Sequence, residues 1–105
     1  MTQKEVATEI LRQLGGSKFI TMTGSRNFAY DTNTLSMQLR RNKAKAKWLK
    51  ITLNVMDTYD MQFIDLDKDH KLVVKAEKKN VYNDQLQEIF TSVTGLETSL
   101  GTMGR

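Results

Sequence analysis

The sequence predicts an α+β domain: an antiparallel sheet of four or five strands, covered on one face by an N-terminal and a C-terminal helix. Three observations lead there. Apolar residues recur at helical spacing near both ends of the chain. Between those ends, apolar and polar residues alternate with period two, the pattern of strands with one dry and one wet face. The connections between these runs are too short for crossover helices, so neighbouring strands run antiparallel.

The first helix opens at Thr2. Thr2 and Glu5 have the spacing of a capping box, and Val6, Ile10, Leu11 and Leu14 follow on one stripe. Gly15-Gly16 supplies a left-handed end. Phe19 to Thr23, β-branched and aromatic, reads as a first strand. Gly24 to Asn33, rich in Gly, Ser, Asn and Asp, reads as a turn or loop. Leu35, Met37 and Leu39 alternate with Ser36, Gln38 and Arg40. Leu49, Ile51, Leu53 and Val55 alternate with Trp48, Lys50, Thr52 and Asn54. Tyr59, Met61 and Phe63 alternate with Asp60 and Gln62. Lys71 to Lys78 supplies a further strand through Leu72, Val73, Val74 and Ala76. Asn83 and Asp84 open the second helix, whose stripe is Leu86, Ile89, Phe90 and Val93, with Gly95 as its C-cap. Residues 1–96 form one domain on this reading, and 97–105 a frayed tail. The wet face would carry Ser36, Gln38, Arg40, Trp48, Lys50, Thr52, Asn54, Asp60 and Gln62.

A chain of 105 residues is one domain's worth, and 39% apolar residues suffice for a thin core. The absence of Cys removes disulfides, thiolate nucleophiles and cysteine metal sites, and fits a reducing compartment. No apolar run is long enough to span a bilayer, and MTQKEV lacks the apolar stretch of a signal peptide. The expectation is a cytoplasmic protein with no membrane partner. The net charge of +4 is unevenly spread: residues 40–50 carry +6 and residues 51–69 carry −4. That implies a polarised surface if the corresponding loops lie on different sides.

Templates for catalysis fit poorly, so the expectation is a protein that is not an enzyme, with no cofactor, no metal and no small-molecule substrate. His70 is the single histidine, among Asp65, Asp67 and Asp69. DLDKDH, residues 65–70, resembles the start of a calcium loop. Its sixth position is His70 where the turn needs Gly, and its twelfth is Ala76 where the ion needs Glu. A polar hairpin turn explains it better. Neither GGSKF nor MTGSR continues as a phosphate-binding loop. Asp57 and Asp60 are explained by turn chemistry and an exposed strand position rather than as a carboxylate pair.

RRNKAKAKWLK, residues 40–50, is the segment that points to a partner. Arg40, Arg41, Lys43, Lys45 and Lys47 have the chemistry to contact phosphates, and counterion release would make such affinity salt-dependent and sequence-blind. Trp48 and Lys50, on the neighbouring strand, would form a platform on which a base stacks. The competing readings are a solvated basic loop, and a protein interface anchored by Trp48 and Tyr59, either with a host protein or in self-association.

EILRQLGGSKFITMTGSRNF, WLKITLNVMDTYDMQF and VYNDQLQEIFTSVTGLETSL together resemble a group of small uncharacterised proteins of bacteriophages and other bacterial mobile elements. The resemblance covers most of the chain and departs at residues 40–47 and at the C-terminus. It implies a phage or prophage accessory protein acting in a bacterial cytoplasm, binding nucleic acid or a host protein without catalysis. It transfers no functional residue.

Overall fold

A computed structural model describes residues 2–98. Three helices and five strands follow one another as α1 (Gln3–Leu14), α2 (Gly16–Thr23), β1 (Arg26–Asp31), β2 (Thr34–Gln38), β3 (Trp48–Leu53), β4 (Tyr59–Leu66), β5 (Leu72–Val81) and α3 (Leu86–Thr94). A single turn of 3-10 helix, Asn83–Gln85, leads into α3. The strands form one antiparallel sheet in sequence order, a plain meander. The α+β class, the antiparallel sheet and the helices at both ends are as expected from the residue pattern.

Side-chain alternation sends Leu35 and Met37 of β2, Leu49 and Ile51 of β3, and Tyr59, Met61 and Phe63 of β4 to one face. All are buried there with Val6, Ile10 and Leu14 of α1, Phe19 of α2, and Leu86 and Phe90 of α3. The Phe19 and Phe90 rings meet edge to face with centroids 5.0 Å apart, and Phe63 lies 6.4 Å from Phe90. That cluster ties α2 and α3 to the centre of the sheet. α1 lies across β1 and β2 and touches α2 and α3. Its start is capped as expected: Thr2 Oγ1 accepts from the Glu5 amide, and the Thr2 amide donates to the Glu5 carboxylate.

Two assignments change. Residues 19–23 are helical. Gly15 (φ 124°) and Gly16 (φ 61°) turn a corner between two helices instead of releasing the chain into a strand. Phe19 and Thr23, one helical turn apart, are both buried, and Thr23 Oγ1 donates to the Phe19 carbonyl at 2.7 Å. A five-residue apolar run is too short for its period to show. Residues 26–31, expected in a loop, form β1. This edge strand is exposed except at half-buried Phe28, and Asn27 at φ 55° makes a bulge, so no alternation marks it. The sheet therefore has five strands, with β1 in place of the strand expected at 19–23.

β4 and β5 are longer than their alternating cores. β5 is interrupted by register shifts where Lys75 and Asn80 are the extra residues, and these hide its period. The bulges, with Lys75, Lys78 and Lys79, also protect this long edge from pairing with another chain. Of the tail expected at 97–105, Thr98 is buried, and residues 99–105 lie outside the described residues.

Candidate functional site

The β2–β3 connection, residues 39–47, is an ordered loop. Asn42 organises it: its side-chain amide donates to the Arg40 and Ala46 carbonyls at 2.8 and 2.7 Å, and its side-chain oxygen accepts from the Ala44 and Ala46 amides. The Lys43 amide donates to the Thr94 carbonyl at the end of α3, and the Lys47 amide donates to the Ile64 carbonyl of β4. Leu39 and Ala46 are buried beneath it. The backbone is thus fixed at both neighbours, while Arg41, Lys43, Lys45 and Lys47 are exposed. The loop is therefore ordered in its backbone and solvated at its charged side chains.

An open groove of about 690 Å³ runs along this loop. Its cationic walls are Arg26, Arg40, Arg41, Lys45 and Lys47, with Gln38, Asn42 and one carboxylate, Asp65. Arg40 is the least free of the five cations. Its side chain lies over Gly24, and its guanidinium reaches the Met22 carbonyl near the end of α2 at 3.5 Å. It does not join the wet sheet face as the alternation implied, because β2 ends at Gln38 and the chain turns. Lys43 does not line the groove; it faces Gly95 and the end of α3. Among the described residues the one ion pair is Glu9–Arg12, so no cation of residues 40–50 is paired there.

Trp48 opens β3 and stands half-buried on the face the helices leave uncovered. Its cross-strand neighbours are Gln38 and Ile64. Lys50 is exposed on the same face, between Ser36 and Gln62. Sequence reasoning missed three contributors. Arg26 pairs with Gln38 from a strand that alternation did not reveal. Ile64 follows Phe63 directly, so it looked like more core. Val74 pairs with Ile64 and is 50% exposed, on a bulged strand whose period is broken. In the sequence Arg26 is a single basic residue in GSR, and nothing there links it to RRNK.

Charge segregation is weaker in space than along the chain. The β4–β5 turn, with Asp67 and Asp69, lies at the same end of the sheet as the basic loop, and Asp65, near the end of β4, enters the groove. Asp57 and Asp60 are at the opposite end. The DLDKDH segment is the hairpin turn its composition suggested: Asp67 accepts from the Asp69 and Lys71 amides at 2.8 and 2.9 Å, and His70 takes φ 63°. Asp60 is bound to the Asn54 side chain and the Asn80 amide. Asn54 itself, expected on the wet strand face, organises the β3–β4 turn by accepting from Met56 and Thr58. Among the described residues, no helix is long and apolar enough to cross a membrane.

No protein family matches the chain, and no curated protein or solved structure does either.

Proposed function

We propose that this is a small non-catalytic accessory protein of the bacteriophage and mobile-element type, which binds nucleic acid without sequence preference. The binding surface is the basic loop with the adjoining wet face of the sheet. The observation that carries this reading is the convergence of Arg26, Arg40, Arg41, Lys45 and Lys47 on one groove, without ion pairs among the described residues, beside Trp48. Because the loop backbone is already ordered, little conformational entropy is lost when phosphates dock on it. A non-catalytic role is supported by how the reactive side chains are used. Asp67 holds a turn and Asp60 joins a polar network around Asn54.

Titration of Trp48 fluorescence with oligonucleotides tests the reading. With four or five phosphate contacts, affinity falls by about a hundredfold between roughly 50 and 200 mM salt. Replacing Arg41, Lys45 and Lys47 by Glu abolishes binding without lowering Tm, whereas Lys43→Glu, outside the groove, weakens it far less. Equal losses from Lys43→Glu, or no binding at low salt, would refute the groove.

A second reading, a host-protein interface, is favoured by one observation at the far end of the sheet. Val55 and Met56 are 103% and 72% exposed at the tip of the rigid Asn54–Thr58 turn. Two displayed apolar side chains on an ordered tip suit a partner's pocket. Exchange of both for Ser would abolish capture of a host protein while leaving oligonucleotide binding intact.

A further inference from the structure

The uncovered face of the sheet is not uniformly polar. A row of directly opposed residues crosses all five strands: Arg26, Gln38, Trp48, Ile64 and Val74. Beside its outer end lies the Leu66–Leu72 pair, with Leu72 72% exposed. With strands about 4.8 Å apart, the row spans roughly 19 Å. Its Arg26 and Gln38 end is also a wall of the basic groove. An aromatic and aliphatic surface therefore continues directly out of a cationic one.

We infer that this row is a stacking surface for single-stranded nucleic acid, whose phosphates follow the groove while unpaired bases lie on Trp48, Ile64 and Val74. The inference rests on the nucleic-acid reading above and names the substrate class. Unpaired bases expose the π-faces that Trp48 can stack on; a duplex keeps them inside its own stack. Lys50, exposed on the same face, adds a phosphate contact beyond Trp48. The occupant is a polyanion rather than a protein because the surface sets Lys50 next to Trp48 on β3 and Arg26 at the end of the same row, and the cores of protein interfaces are depleted of charge. The row has room for roughly four nucleotides, the low end of known single-strand site sizes.

Fluorescence anisotropy of a labelled oligothymidylate, compared with a dA·dT duplex of the same length, tests this at low salt. The single strand binds more tightly. Trp48→Ala weakens its binding by roughly five- to a hundredfold and weakens duplex binding far less, while Trp48→Phe restores most of the loss. Val74→Ser, on a half-exposed position that folding does not need, gives a smaller loss confined to the single strand. Lys45→Glu with Lys47→Glu weakens both forms. If duplex and single strand bind equally and Trp48→Ala changes neither, while the charge reversals abolish both, stacking is overturned and the groove reading stands. Loss of binding to both forms in the wild-type protein overturns the two together. Light scattering that shows a dimer undisturbed by oligothymidylate, with Trp48 shielded from a soluble quencher, assigns the face to a second copy and overturns the inference.

Discussion

Among the described residues, six other than glycine adopt positive φ, and five of them are Asn27, Asn33, Asp57, His70 and Asn80. Asn, Asp and His tolerate this region best, so each marks a turn or bulge the backbone requires. The sixth is Lys45 at φ 58°, in the middle of the basic loop. There the backbone strain is held by Asn42, and the lysine is presented to the groove. Single charges matter most where the groove is narrowest in composition. Asp65 is its one carboxylate, and it accepts from the Leu66 amide. Asp65→Asn keeps the acceptor and removes the charge. Oligonucleotide affinity should rise roughly fivefold, equivalent to about 1 kcal/mol, and an unchanged or weaker affinity would remove Asp65 from the site. At the other end of the chain, Glu5 is held below the usual carboxylate range, first by the Thr2 amide and then by the Thr2 hydroxyl. A depressed value means the stabilisation is present above the unfolded value and lost as pH falls through the folded one. Melting followed from neutral pH to below about pH 4 should show a loss in the wild type that Glu5→Gln reduces.

At the scale of elements, the helices and strands differ in how far they are self-announcing. α1 and α3 carry their stripes in sequence, and β2, β3 and the first half of β4 carry clean alternation, because each packs one face on the same core. β1 and β5 are edges. They bury little, so selection for alternation is weak, and their bulges break the period where it exists. α2 was hidden for another reason: Phe19 to Thr23 is as β-prone as any strand here, and its helix is seen only with Phe19 packed on Phe90 in the shared core. The β2–β3 loop is the element on which binding depends. Asn42→Ala removes side-chain hydrogen bonds to Arg40, Ala44 and Ala46 at a cost of about 1–3 kcal/mol. Amide hydrogen exchange at Ala44 and Ala46 should accelerate, and oligonucleotide binding should weaken with all groove cations still present. Unchanged exchange at both amides would mean that the loop is held by its anchors to Thr94 and Ile64 alone.

At the scale of the whole molecule, one apolar cluster holds three helices to one sheet face, and none of the described helices covers the other. The two faces should therefore answer mutation differently. Phe90, fully buried between Phe19 and Phe63, should cost about 3–5 kcal/mol as Phe90→Ala in urea denaturation, a large part of a small domain's stability. Lys50→Ala on the open face should stay within about 0.5 kcal/mol. Comparable losses from the two would mean that the open face is covered after all. The sequence by itself determined the α+β class, the antiparallel order, the capped first helix, the core stripe of α3 and the basic character of residues 40–50. These are local: period, caps and charge are written in consecutive residues. Only the tertiary structure decided that residues 16–23 are helical, that Arg26 joins the basic groove, that Lys43 leaves it, that Asp65 enters it, and that Ile64 and Val74 extend the Trp48 surface. Each depends on which strands become neighbours and on the register between them. That register comes from packing the whole core together, and no short stretch of the chain contains it.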